Sequence, residues 1–79
     1  MKPERVFRIG AVSASVFANE IEGDGGKRKV RNVNLQRRYR DGDDWKSTSS
    51  FALPDLPVAI AVMNLALEYV AGQEAVIQP

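Results

Sequence analysis

The sequence predicts an α+β domain: a four-stranded, curved antiparallel sheet followed by one C-terminal helix, in the order ββββα. Three observations predict it. Two central segments alternate apolar and polar residues with period two. Glycine- and aspartate-rich clusters separate them from their neighbours. A proline-led apolar segment with helical spacing closes the chain.

The first strand is Val6-Phe7-Arg8-Ile9, a β-branched and aromatic run that ends at Gly10. Gly10-Ala11 is expected to bend the chain into the second strand. There Val12, Ala14, Val16 and Ala18 fall on one face, and Ser13, Ser15, Phe17 and Asn19 on the other. A single apolar face marks a half-buried strand. Glu22-Gly23-Asp24-Gly25-Gly26 reads as a turn, because glycine and aspartate accept the backbone angles of a reversal.

The third strand sets Val33, Leu35, Arg37 and Tyr39 against Asn32, Asn34, Gln36, Arg38 and Arg40. Arg37 can lay its stem on the apolar side and send its head to water. Asp41-Gly42-Asp43-Asp44 is the next turn. In the fourth strand Trp45, Ser47, Ser49, Phe51 and Leu53 alternate with Lys46, Thr48 and Ser50. The polar face is therefore expected to carry Lys46, Thr48 and Ser50 beside Arg38 and Arg40.

Pro54-Asp55-Leu56-Pro57 starts the helix, with Asp55 as cap or dipole partner and Gly72 as stop. At 100° per residue, Leu56, Ile60, Met63, Leu67 and Val70 form one apolar stripe. Val58, Val62, Leu65 and Tyr69 form another, nearly opposite. One sheet covers only one of them. The other is expected to meet a second copy of the helix in a two-fold dimer. Val58, Val62, Leu65 and Tyr69 are assigned to that interface, with the opposite stripe as the alternative. A helix wrapped by its own curved sheet is the competing arrangement.

All 79 residues belong to one domain, with an ordered core over residues 5–72. A chain this short buries only about 60% of its unfolded surface and commonly gains stability by association. There is no cysteine and no histidine. Disulfides, thiolate metal sites and the commonest neutral-pH general base are thereby excluded. No cofactor, metal or small-molecule substrate is expected, and the chain reads as no enzyme. No apolar leader follows Met1-Lys2-Pro3-Glu4-Arg5. The run Val58–Val70 is broken by Asn64 and Glu68 and reads as too short and polar to cross a membrane. A cytoplasmic protein is expected.

The remaining chemical motifs are weak. Gly23–Arg28 lacks the spacing of a phosphate-binding loop and joins two strands. Asp41–Asp44 lacks the calcium-loop spacing. Ser47, Ser49 and Ser50 have no histidine to activate them. Glu20 and Glu22 flank an exposed turn, where nothing would desolvate them.

Charge is segregated. Residues 27–46 hold eight Lys and Arg against three Asp, a net +5, while the rest of the chain holds three against seven, a net −4. Such asymmetry points to an anionic partner. The alternative is a solvated sheet edge blunted by cations. Aromatic rings interleave with these cations. Cations that track phosphates beside rings that stack on bases suit single-stranded nucleic acid. The candidate binding residues are Phe17, Lys27, Arg28, Lys29, Arg31, Arg37, Arg38, Tyr39, Arg40, Trp45 and Lys46. Tyr39 and Trp45 read equally well as rings at the core's edge.

The sequence Phe7-Arg8-Ile9-Gly10, then Val33-x-Leu35-x-x-x-Tyr39, then Phe51-x-Leu53-Pro54-Asp55 and a terminal helix resembles the positive cofactor four family of transcriptional coactivators. The resemblance spans most of residues 6–70. It implies a homodimer joined through the helices, with curved sheets that bind single-stranded DNA non-specifically in transcription, replication or repair. It implies a stacking role for Tyr39, with basic residues of the second and third strands on the backbone. The chain departs from the family in carrying Ser47-Thr48-Ser49-Ser50 before Phe51, and serines in the second strand, where members often carry basic residues. The alternative function is a protein-interaction module or regulatory subunit with no nucleic-acid ligand.

Overall fold

The computed structural model describes residues 2–75. Four strands, β1 (Arg5–Ile9), β2 (Val12–Gly23), β3 (Gly26–Asp41) and β4 (Asp44–Thr48), form one antiparallel sheet in the order β1-β2-β3-β4. A short 3-10 turn, Leu53–Asp55, leads into helix α1 (Leu56–Glu74). The ββββα order is the one the alternation predicts.

The turns follow from glycine. Gly10 (φ 59°) and Gly42 (φ 64°) each stand first in a two-residue hairpin loop, where a positive φ matches the twist of the flanking strands. Gly10-Ala11 is thus a full reversal, and Arg38 N–H of β3 donates to Ala11 O at 2.8 Å, continuing the β2–β3 ladder past Val12.

β2 and β3 are far longer than the strands beside them. β1 pairs with β2 only from Val12 to Val16, and β4 with β3 only from Arg37 to Asp41. Residues 17–32 therefore form a two-stranded ribbon that runs past both edge strands, and the chain is 51 Å in its longest dimension.

The core lies where α1 crosses the sheet. Val12, Ala14 and Val16 of β2 meet Ala59, Val62 and Ala66 of α1. Phe7, Val33, Leu35, Phe51, Val58, Tyr69 and Val70 pack around them. Phe7 and Tyr69 stack tilted, with centroids 5.9 Å apart. The small alanines bring helix and sheet close together.

Several expectations are corrected here. The line facing the sheet runs through Ala59, Val62 and Ala66, between the two stripes read from the sequence. Val62 is fully buried in the chain's own core, and Val58 and Tyr69 pack beside it, so these three face the sheet and not a second helix. Leu65 alone of that set is exposed. The free stripe is Leu56, Ile60, Met63 and Leu67, with Ile60 62% and Leu67 63% exposed. Alanine does not stand out in an apolar pattern, yet its size decides which side of α1 can approach the sheet.

β4 ends at Thr48, so Phe51 reaches the core from a loop. α1 continues through Gly72 to Glu74. Asp55 makes no capping hydrogen bond. Its Oδ2 lies 3.4 Å from Arg37 Nε instead. With its lead-in the helix covers Leu53–Glu74, long and apolar enough to cross a membrane by length and composition, unlike the shorter run read from the sequence. Three of its residues are nonetheless buried against the sheet.

Candidate nucleic-acid interface

Strand register sorts the candidate residues onto two faces. Val16 pairs with Val33 and Phe17 with Asn32. Even-numbered residues of β3 and odd-numbered residues of β2 therefore point away from α1. This outer face holds Phe17, Arg28, Arg38 and Arg40 of the candidates. Phe17 is half-buried but is not part of the core cluster.

β4 is placed by two pairs, Arg38↔Ser47 and Arg40↔Trp45. Trp45 consequently stands on the outer face. The Arg38 and Arg40 guanidinium carbons lie 5.2 and 5.5 Å from its ring centroid. Both are within cation–π range, and the ring is 58% exposed. Arg40 Nε also donates to Gly42 O at 3.3 Å, which steadies the guanidinium over the turn. The expected outer placement of Lys46, Thr48 and Ser50 is corrected. Lys46 pairs with Tyr39 and Thr48 with Arg37, on the helix side, and Ser50 lies beyond the strand.

The remaining candidates occupy the helix-side face. Tyr39 is there, with the Arg37 guanidinium 5.9 Å from its ring. Lys46 Nζ is held 2.8 Å from Asp41 Oδ2. Arg37 Nη2 donates to Ser50 O at 3.4 Å, and its buried Nε–H has no hydrogen-bond acceptor in line among the described residues, so charge alone joins it to Asp55. Lys27 and Lys29 lie across from Glu22 and Glu20 in the ribbon, each beside an opposite charge.

Arg31 is committed elsewhere. Its Nε donates to Glu4 Oε2 at 2.7 Å and its Nη2 to Glu4 Oε1 at 3.2 Å. Tyr69 Oη donates to the same Oε2 at 2.9 Å. The guanidinium and the tyrosine hydroxyl hold the Glu4 carboxyl below its ordinary value, and Glu4 in turn raises Arg31. The Arg31 side chain is only 10% exposed. It ties the N-terminal segment and the end of α1 to β3, and offers nothing to a ligand.

One outer-face cation escapes the sequence reading. Arg8 pairs with Ser13, which pairs with Gln36, so Arg8 shares the face and the sheet end of Arg38. Its place between Phe7 and Ile9, which share the helix-side face, is the available signal. The assembled site is thus Trp45 with Arg38 and Arg40 at its ring, with Arg8 at the same end of the sheet on the far edge strand β1 and Phe17 farther along β2. It can stack a flat ring and neutralise nearby phosphates. Family models, curated proteins and solved structures yield no match to this chain.

Proposed function

We propose that the chain binds single-stranded nucleic acid, DNA in the first instance, on the outer face of its sheet. It does so without catalysing a reaction, as a homodimer joined along Leu56, Ile60, Met63 and Leu67. The observation that carries this reading is Trp45, an exposed ring with two guanidinium groups within cation–π range on the sheet. Rings on such a platform stack on splayed bases, and cations follow the backbone. A duplex hides its base faces, and helix α1 is apolar and acidic, with no Lys or Arg to seat it against the phosphates that border a major groove. The resemblance to the positive cofactor four family supports the same reading, although Trp45 takes the stacking role here in place of Tyr39.

A second reading has its own observation. β4 leaves the edge of β3 uncovered before Arg37, where, among the described residues, the one outward N–H with a partner, that of Arg31, reaches the Glu74 carboxylate at 3.2 Å. Such an edge can accept a peptide strand.

Titration of labelled single-stranded and duplex oligonucleotides over a range of salt decides between them. Nucleic-acid binding is expected to favour the single strand and to weaken steeply with salt. Arg38→Glu and Arg40→Glu should each flatten the slope by roughly 0.7 for a lost phosphate contact. Absent or salt-independent binding favours the peptide reading.

A further inference from the structure

The basic cluster occupies only one end of the outer face. Between Arg38 and Arg28 that face of β2 and β3 carries no charge. It carries the carboxamides of Asn19, Asn32, Asn34 and Gln36 around the Phe17 ring. Phe17, Asn19, Asn32 and Asn34, with Val33, line one shallow depression. Among the described residues, none of the four carboxamides makes an intramolecular side-chain hydrogen bond. Each therefore keeps a carbonyl acceptor and two N–H donors for a ligand.

A neutral field does not hold phosphates. A single strand that leaves the arginines and continues over β2 and β3 meets amides and a ring, the groups that engage bases. Asn32, Asn34 and Gln36 repeat every second residue, about 7 Å apart along β3. That is close to the repeat of successive nucleotides in an extended single strand. Unstacked bases present both their Watson–Crick and Hoogsteen edges. A carboxamide needs a donor beside an acceptor. Adenine offers this on two edges, N6–H with N1 and N6–H with N7, whereas thymine and cytosine offer it on one. Asn and Gln bind adenine in this bidentate way.

We infer that the middle of the outer face is a base-reading subsite, in which Asn32, Asn34 and their neighbours select adenine while Phe17 stacks. The inference rests on the proposed single-strand binding and adds base preference to it. The strand is anchored by charge at the Trp45 end and read by amides along β2 and β3.

The test uses the full chain with adenine, cytosine and thymine homo-oligodeoxynucleotides of about 12 nucleotides, at one salt concentration. All three carry the same charge. The adenine strand should bind about tenfold tighter than the thymine strand, the equivalent of one good bidentate contact. Replacing Asn32→Ala and Asn34→Ala together should bring the three affinities to within about twofold, as expected once those contacts are lost. Melting temperature, thymine-strand affinity and salt slope should hold. If that pair perturbs folding, Asn19→Ala with Gln36→Ala tests the same field through the carboxamides that flank Asn32 and Asn34 on either side. Equal binding of the three strands by the unaltered protein overturns the base-reading subsite and leaves single-strand binding standing. No binding of any strand overturns both. A preference that survives both amide pairs removes these residues from its cause.

Discussion

Tyr39 and Trp45 flank the same turn but stand on opposite faces of the sheet, because Tyr39 pairs with Lys46 and Trp45 with Arg40. Only one of them can share a ligand with Phe17. Trp45→Ala is expected to weaken single-strand binding by about 1–3 kcal/mol, the worth of one stacked base. Tyr39→Ala should leave affinity within about 0.5 kcal/mol, as for a surface change away from the site. Titration of the two variants checks this. The reverse order would put the binding face under the helix.

Phe17 separates binding from folding. It lies outside the core cluster and opposite Asn32. Phe17→Ala should cost stability less than about 1 kcal/mol, against about 3–5 for a core phenylalanine. Its binding loss should be about 1–3 kcal/mol if the ring stacks on a base. Thermal melting and an oligonucleotide titration on one protein supply both numbers. Unchanged affinity would remove the ring from the site.

Assembly depends on which side of α1 is altered. Val62 is fully buried against the sheet, so Val62→Asp should unfold the chain, at a cost of about 4 kcal/mol or more for an unpaired buried charge. Ile60 is 62% exposed, so Ile60→Asp should leave the fold within roughly 1 kcal/mol and convert dimer to monomer. Sedimentation with circular dichroism distinguishes the two. A parent chain that sediments as a monomer at micromolar concentration would refute the helix-joined dimer.

Acid should loosen the N-terminal attachment. Glu4 is held below its ordinary value of 4.5, first by the Arg31 hydrogen bond and then by that of Tyr69. A carboxylate depressed in the folded state stabilises it above the unfolded value, and that contribution is lost as pH falls through the folded value. Stability should therefore decline as pH drops below 4.5. Glu4→Gln should be less stable at neutral pH and show a shallower acid decline. Equal acid slopes in melts of the two proteins would exclude Glu4 as a contributor.

The fold was legible because period two and the turn glycines act locally. β2 shows this: Val12, Ala14 and Val16 are all buried, as their alternation requires. The site was less legible, because faces depend on register across strands. In the sequence Trp45 shares its phase with Phe51 and Leu53, yet both lie beyond the end of β4 at Thr48, and pairing with β3 places Trp45 outward. Arg31 looked like its basic neighbours until folding brought Glu4 and Tyr69, distant in sequence, to either side of it. Helix orientation was hidden for another reason. Ala59 and Ala66 carry little apolar signal, but they fit where a larger residue would hold the helix off the sheet.

Trp45 is the chain's only tryptophan, so its fluorescence reports the site directly. The central claim is that a single strand binds on the outer face with a base against this ring. Titration with a single-stranded oligonucleotide should quench the emission to saturation, and added salt should restore it. A duplex of the same sequence should leave it nearly unchanged. Binding detected by a label on the oligonucleotide, with Trp45 emission unaltered, would contradict the account.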